Sequence, residues 1–279
     1  MNDARRTPIN DRVIAADLSP DMAEGRETVS GLPRQIAVPV ANLLRHPDGP
    51  RDRQLVWGED VLVFETRNGW SFVQAVKDRY VGYVQDTALG AASNSTHWVS
   101  APATHLYEAA DFKSPDLAAL SFGSRVRVNQ GQGKFSETLA GHIPTEHLSP
   151  LPARRPDPVE VAELFLGTPY LWGGNSRWGI DCSGLVQAAC LACGVTCPGD
   201  SDQQESELGT VLPDGTPPQR GDLLFWKGHV AWLCDEQTLI HANVHHMAVA
   251  LEPLGSAIER IKAQGDGPVT AHKRLTEIE

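Results

Sequence analysis

A proline-rich segment divides the sequence into two stretches with different patterns. It runs from Pro150 to Pro158 and includes Pro152 and Pro156, a composition typical of a linker between domains. Before it, short runs of β-branched and aromatic residues alternate with turn residues. After it, a helix-like segment comes before several β runs. Because 279 residues exceed one typical domain, this linker predicts a domain boundary near residue 152.

The stretch before the linker is predicted to form two small all-β barrels, at residues 36–92 and 93–152. Asn68-Gly69 separates two β runs of the first barrel and is a strong hairpin signal. The second stretch has a similar order of elements, which indicates a weak internal duplication. Residues 1–35 are polar and weakly patterned, and we expect an arm that packs on the body without forming a domain of its own.

Residues 153–279 are predicted to form an α+β domain whose helices come before its strands. Asp157-Pro158 supplies an N-cap and a proline at the first helical position. A second helix is predicted from Cys182 to about Cys193. Four β runs then follow, at residues 221–226, 229–234, 239–243 and 249–251.

Cys182 begins the second predicted helix, directly after a loop that carries Gly173 and Gly174. At a helix N-terminus the unpaired backbone N–H groups and the helix dipole favour a thiolate, so we expect a lowered pKa and a reactive nucleophile. The alternative is a buried cysteine that packs as a small apolar side chain. A thiol nucleophile needs a base beside it, so the presence of such a base decides whether Cys182 is reactive or only packed.

Two histidines on consecutive predicted strands supply that base. His229 opens one strand after a Gly turn, and His241 lies in the next strand. Antiparallel strands joined by a short turn place such positions side by side. Cys182, His229 and His241 are therefore predicted to act as nucleophile, base and orienting group. For each histidine alone, the alternative is an ordinary core or surface residue.

Composition and charge exclude several classes of partner. The formal charge is −11, with 24 Lys and Arg against 35 Asp and Glu, which argues against nucleic acid and anionic membranes. No apolar run is long enough for a transmembrane helix, and no apolar region follows the N-terminus as in a secretory signal. The five cysteines are not arranged as a disulfide framework. We expect a cytoplasmic protein, and the sequence does not indicate its oligomeric state.

Two further clusters offer metal ligands. Cys190, Cys193 and Cys197 could supply part of a zinc site, but they also share one face of a helix, and no second C-x-x-C is present. We favour core packing for them. His245 and His246 are adjacent, and neighbours on a strand point to opposite faces. We predict no metal and no cofactor.

Five motifs in order resemble those of the NlpC-type cell-wall cysteine peptidases. They are Tyr170-Leu-Trp-Gly-Gly174, Asp181-Cys-Ser-Gly-Leu-Val186, Arg220-Gly-Asp-Leu-Leu-Phe225, Gly228-His-Val230 and His241-Ala242. The resemblance covers about residues 155–279. It implies an α+β papain-like peptidase domain preceded by two small all-β SH3-like barrels, with a triad of Cys182, His229 and His241.

The combination is similar to γ-D-glutamyl-L-diamino-acid endopeptidases that recycle murein peptides. This resemblance implies that Cys182 attacks the γ-carbonyl of D-Glu in a small murein peptide with a free N-terminal L-Ala. It also implies that the Tyr170 hydroxyl stabilises the oxyanion and that Asp181 and Ser183 contact the L-Ala amine. Packing remains the alternative for Tyr170, and helix capping for Asp181 and Ser183.

In the resembling enzymes, the first barrel closes one end of the cleft with an acidic and a tyrosine side chain. Here the candidates are Asp52 or Glu59, and Tyr80 or Tyr83. The sequence does not choose within either pair. Two rival functions also stay open, namely cleavage of intact peptidoglycan outside the cell and binding of murein peptides without cleavage.

Overall fold

The computed structural model describes residues 3–131 and 133–275. The chain consists of two compact units, with the boundary between Pro152 and Ala153. Among the described residues, no helix has both the length and the apolar character needed to span a bilayer.

The first unit is almost entirely β-structure. Its short 3₁₀ helices are Ala4–Arg6, Pro20–Met22, Asp86–Ala88 and Thr145–His147. Its strands are β1 Val13–Ala15, β2 Glu27–Val29, β3 Leu32–Ile36, β4 Val40–Leu44, β5 Arg51–Val56, β6 Asp60–Arg67, β7 Trp70–Ala75, β8 Val81–Gln85, β9 Leu89–Ala91, β10 His97–Val99, β11 Ala103–Tyr107, β12 Asp116–Ser121, β13 Arg125–Val126, β14 Val128–Gly131, β15 Phe135–Thr138, β16 Gly141–Pro144 and β17 Leu148–Pro150.

Seven strands of the first unit form one sheet, in the order β5-β4-β8-β7-β6-β3-β9. The hairpin between β6 and β7 turns at Asn68 and Gly69, whose φ angles of 52° and 81° are those of a type I′ turn. The hairpin predicted from Asn-Gly is therefore confirmed. Alternating side chains of these strands enclose an apolar core that includes Leu43, Val73 and Val84.

Two details of this region differ from the sequence-based expectation. Strand β3 begins at Leu32, inside the predicted arm, and β1 packs Val13 and Ala15 into a cluster with aromatic residues of β6 and β7. The sequence from Gln54 to Phe64 also has the pattern of one continuous β run, whereas in the structure a turn at Gly58 separates β5 from β6. Gly58 has φ +74°, and a Cβ there would overlap the carbonyl of Arg125. The turn therefore requires a glycine at this position.

The strands of residues 97–150 repeat this arrangement. One sheet has the order β12-β11-β16-β15-β14 and a second has β13-β10-β17. When β13 and β14 are taken as one interrupted strand, the order matches that of the seven-stranded sheet position by position. A separate core containing Val99, Leu120 and Ile143 lies between these two sheets.

The second unit places helices on both sides of a six-stranded antiparallel sheet. Its helices are α1 Pro158–Glu163, α2 Cys182–Ala192, α3 Ser201–Glu207 and α4 Leu254–Gln264. Its strands are β18 Asn175–Ser176, β19 Gly179–Ile180, β20 Thr210–Val211, β21 Asp222–Trp226, β22 His229–Leu233, β23 Thr238–Asn243, β24 Ala248–Pro253 and β25 Ala271–Arg274.

The sheet order β20-β25-β21-β22-β23-β24 brings the two histidine-bearing strands to its middle. Helix α2 packs on β22 and β23. Helix α4 packs Ala257 and Ile261 against Leu224 and Trp226, and every residue of β21 is buried. Because helices cover both faces of the sheet, the sequences of its central strands are continuous apolar runs. Helix α4 was missed from the sequence because its fully buried face consists of little more than these two residues.

Candidate active site

Cys182 is the first residue of α2, and local hydrogen bonds fix its position. Asp181 is the N-cap, and its Oδ1 accepts from Gly184 N at 2.6 Å while its Oδ2 accepts from Gly173 N at 2.9 Å. The carboxylate therefore holds both the helix start and the preceding loop. Gly184 packs against the carbonyl of Gly174, with no room for a Cβ. Cys182 itself is 8% exposed.

Gln204 supports the same helix start from α3. Its buried side-chain amide donates to Ser183 O and to Pro198 O, both at 2.9 Å. This contact joins the residue that follows Cys182 to the loop after α2. The polar segment at residues 200–204 could line a cleft or begin a solvated helix by its sequence, and only the fold shows that Gln204 is fully buried.

His229 reaches the site from the opposite side, at the start of β22. Gly228, with φ +76°, allows the tight turn from β21. His229 Nε2 lies 2.9 Å from His241 Nδ1 on β23. From the sequence, His229 and His241 were expected side by side. The ladder pairs Trp232 with Ile240, so the two histidines are diagonal neighbours. The two rings are in contact across the strands, with their centroids 5.1 Å apart.

The hydrogen-bonded chain continues beyond His241. Its Nε2 lies 3.0 Å from Oε2 of Glu252 on β24. Arg260 on α4 binds both oxygens of that carboxylate, at 2.8 Å to Oε1 and 2.6 Å to Oε2. Neither Glu252 nor Arg260 was predicted from the sequence, because charged residues on a strand and a helix are normally expected to face solvent.

These contacts define which nitrogens carry protons. A carboxylate only accepts hydrogen bonds, so His241 must donate from Nε2 to Glu252 and accept at Nδ1. His229 then donates its Nε2 proton to His241, which leaves Nδ1 of His229 as an unprotonated base. An unprotonated Nδ1 is what proton transfer from a thiol requires.

Both histidines are neutral at neutral pH. Burial lowers the pKa of His241 to about 4 and that of His229 to about 3. Part of His229 faces the cavity, yet its ring loses hydration because Trp226 and His241 pack on it, with centroids 5.7 and 5.1 Å away. The Arg260 guanidinium keeps the pKa of the Glu252 carboxyl below its usual value.

A cavity of about 210 Å³ brings the reactive groups together. Cys182 and His229 line it, together with Tyr170 and Trp172 from the loop before α2. Polar residues from the turn before β22, from the end of β23 and the turn after it, and from α4 and the segment that follows it line the rest, namely Lys227, Asn243, His245, Arg260, Gln264 and Asp266. The cavity therefore offers a nucleophile, a base and charged groups beside them.

Asp181 and Ser183 have structural partners beside the nucleophile. Both are about 95% buried, and Ser183 Oγ donates to Asp181 Oδ1 at 3.1 Å. Helix capping is therefore observed for Asp181. Contact of either residue with a substrate amine stays a prediction.

The four residues predicted in the first barrel have partners within their own unit. Asp52 forms an ion pair with Arg45 at 2.6 Å. Glu59 pairs with Lys77 at 2.7 Å. Tyr80 belongs to the apolar core and is 4% exposed. Tyr83 stacks near Phe72 and accepts from Asn10 through its hydroxyl. Their contact with substrate stays a prediction.

One group of described residues has metal-ligating atoms close together. Ligand atoms of His241, His246 and Glu252 lie within 4.8 Å of one another. Both nitrogens of His241 and both oxygens of Glu252 already have partners, so a cation would have to displace Arg260 or His229. Cys190, Cys193 and Cys197 form no disulfide and have no exposed surface, which agrees with core packing.

Comparison with known proteins identifies two domains in the chain. Residues 167–260 match the NlpC/P60 family, and residues 43–89 match the bacterial dipeptidyl-peptidase SH3 domain. Dipeptidyl-peptidase 6 of Lysinibacillus sphaericus is 29% identical over 235 residues, which cover 74% of this chain and 85% of that protein. A gamma-D-glutamyl-L-lysine dipeptidyl-peptidase of Bacillus subtilis is 30% identical over 189 residues, covering 62% of this chain and 63% of that one.

A solved structure shows the same fold. The crystal structure of an NlpC/P60 family protein from Bacillus cereus matches with a TM-score of 0.73 at 20% identity, covering 88% of this chain and all of that one. The α+β second unit is accordingly papain-like, as the sequence predicted. The chain therefore carries an NlpC/P60 domain at residues 167–260 and a bacterial SH3 domain at residues 43–89, and with Cys182 and His229 in one cavity it is a cysteine peptidase.

Proposed function

We propose that this peptidase hydrolyses the γ-D-glutamyl-diamino-acid bond of small, free murein peptides that begin with L-Ala. The observation that carries the proposal is the hydrogen-bonded pair His229–His241 at the cavity that Cys182 lines. The names of the relatives from Lysinibacillus sphaericus and Bacillus subtilis support the bond type.

The reaction uses one thiol and one imidazole. Nδ1 of His229 takes the proton of the Cys182 thiol, and the thiolate attacks the γ-carbonyl carbon of D-Glu. The C–N bond then breaks, and His229 gives its proton to the leaving amine of the diamino acid. Water next loses a proton to His229 and attacks the thioester, and Cys182 recovers the proton as the free acid leaves.

The oxyanion forms beside the start of α2. The Cys182 backbone N–H and the Tyr170 hydroxyl are its proposed donors, since Tyr170 lines the same cavity. The carboxylate of Asp181 and the hydroxyl of Ser183 are proposed to contact the L-Ala ammonium. From the first unit, Asp52 or Glu59 and Tyr80 or Tyr83 remain the proposed contacts to the N-terminal end of the peptide.

We further propose that residues 93–152 form a second SH3-like barrel. The repeated strand order and the separate apolar core support this duplication. We also propose that the enzyme acts in the cytoplasm. None of the five cysteines forms a disulfide, as expected in a reducing compartment, and small free peptides are substrates available there.

Mass spectrometry of a cleavage assay tests the proposed reaction. L-Ala-γ-D-Glu-diaminopimelate and the matching L-Lys tripeptide are incubated with the wild type, with Cys182→Ala and with Cys234→Ala. Cys234 is as buried as Cys182 but lies at the far end of β22, so Cys234→Ala is a matched control that should stay active. We expect L-Ala-D-Glu and the free diamino acid from the wild type and the control alone.

Two further samples separate the rival functions. N-acetylation of the L-Ala should abolish cleavage, and equal cleavage of the blocked peptide would refute recognition of the free amine. Release of peptides from intact peptidoglycan at a rate similar to that of the tripeptide would favour the rival endopeptidase function. Tight binding of either tripeptide without cleavage would favour a binding protein.

A further inference from the structure

Two charged residues extend the proposed triad into the interior of the second unit. Glu252 is 7% exposed and accepts from His241, and Arg260 binds both of its oxygens. A buried ion pair is costly to desolvate and does not by itself indicate added stability. Its position at the end of the histidine chain indicates another role.

We propose that Glu252 is a positioning residue that fixes the tautomers of His241 and His229, and that Arg260 holds the Glu252 carboxylate in the orientation this requires. The inference rests on the proposed catalytic roles of Cys182 and His229. It adds Glu252, which does not line the cavity, and Arg260, whose proposed role is to hold Glu252 although it also lines the cavity.

The polarity of the hydrogen bonds explains why His241 needs an acceptor at Nε2. A neutral imidazole has one N–H, and without an acceptor at Nε2 the proton of His241 could sit on Nδ1. Nδ1–H would then face Nε2–H of His229 at 2.9 Å, two donors with no acceptor. His229 would relieve the conflict by moving its own proton to Nδ1, and so lose the base that Cys182 needs. Glu252 excludes this arrangement because a carboxylate cannot donate.

Arg260 makes the carboxylate suitable for that task. Its guanidinium occupies Oε1 and shares Oε2 with His241, so the carboxylate cannot rotate away. The positive charge of Arg260 lowers the pKa of His241 and so opposes the increase that Glu252 causes. The charged and titratable neighbours of His241 are His229, Glu252, Arg260 and His246, while Asp266 acts on Arg260.

Nuclear magnetic resonance of histidine side-chain nitrogens in the full-length protein tests the tautomers directly. We expect both His229 and His241 to carry their proton on Nε2 at neutral pH, with assignments from His229→Gln and His241→Asn. A proton on Nδ1 of His241 would overturn the proposal. The measurement needs neither substrate nor activity.

Substitutions of Glu252 separate the acceptor from the charge. Glu252→Gln keeps an oxygen acceptor for His241, so kcat/KM should fall less than about 10-fold. Glu252→Met removes the acceptor, and kcat should fall on the order of 100-fold with little change in KM. Glu259→Gln, at an exposed position of α4, is the control. Equal activity of the Met and Gln variants, with both folded by circular dichroism, would contradict the proposal.

The pH profile gives a readout that simple loss of packing does not mimic. The Arg260 charge lowers the pKa of both histidines and Glu252 raises it. Arg260→Gln should therefore move the acid limb of kcat/KM to higher pH, and Glu252→Gln should move it to lower pH. Lys262→Gln on the exposed face of α4 should leave it in place. Shifts in the same direction for both variants would refute the assignment.

Alkylation of Cys182 tests the role of Glu252 independently of the proposed substrate. Mass spectrometry follows iodoacetamide modification at Cys182, which should slow in Glu252→Met and not in Glu259→Gln. If neither tripeptide is cleaved but tautomers and alkylation behave as expected, the proposed function fails and the role of Glu252 stands. If the tripeptide is cleaved equally by Glu252→Met and the wild type, the role of Glu252 fails alone.

Discussion

The buried His241 should make the second unit lose stability in mild acid. Its side chain has no exposed surface, and burial lowers its pKa from the ordinary value of about 6.5 to about 4. The unfolded chain therefore binds a proton below about pH 6.5, while the folded unit does so only near pH 4. Stability from this group is complete above pH 6.5 and is lost as the pH falls towards 4.

The size of the effect follows from that difference. At about pH 5 the unfolded imidazole is about 1.5 pH units below its pKa, and the folded one is still mostly neutral. Each unit corresponds to about 1.4 kcal/mol, so His241 alone should remove about 2 kcal/mol of unfolding free energy between about pH 7.5 and pH 5. His241→Asn cannot be protonated there and should show a loss smaller by this amount. His245→Asn, at an exposed neighbouring position, should behave as the wild type.

Thiol labelling during urea unfolding measures the second unit specifically. All five cysteines lie after residue 152, and Cys190 and Cys193 are fully buried. Their reaction with a dipyridyl disulfide, which labels thiols in mild acid, reports unfolding of that unit in the full-length chain. A loss of stability in His241→Asn as large as in the wild type would refute the reasoning.

Two further predictions concern backbone contacts. Asp181→Ala removes the helix cap and leaves the buried Gly173 N–H without its acceptor. The free energy of unfolding measured in the same labelling assay should fall by about 2–4 kcal/mol. An equal decrease in Asp181→Asn would contradict this. Gly58→Ala should lower the melting temperature of the first unit in calorimetry by more than Gly69→Ala, since both have positive φ but only Gly58 faces the carbonyl of Arg125; equal decreases would argue against the close contact.

Much of the fold could be predicted because its signals are local. Asn68-Gly69 specifies a turn through the positive φ angles that both residues tolerate. Apolar runs bounded by turn residues located β21, β22 and β23 to within about a residue. The helix α4 escaped prediction because a helix that buries only a narrow stripe differs little from a solvated segment.

The sequence by itself determined the position of the nucleophile. Asp181, Cys182 and Gly184 act within a single turn, where a cap side chain, a helix start and a glycine without a Cβ suffice to place the thiol. Only the tertiary structure decided what orients the base. Glu252 and Arg260 reach His241 through a strand pairing and a helix packed on the sheet. Their hydrogen bonds depend on burial and sheet twist, which arise when residues far apart in sequence pack together.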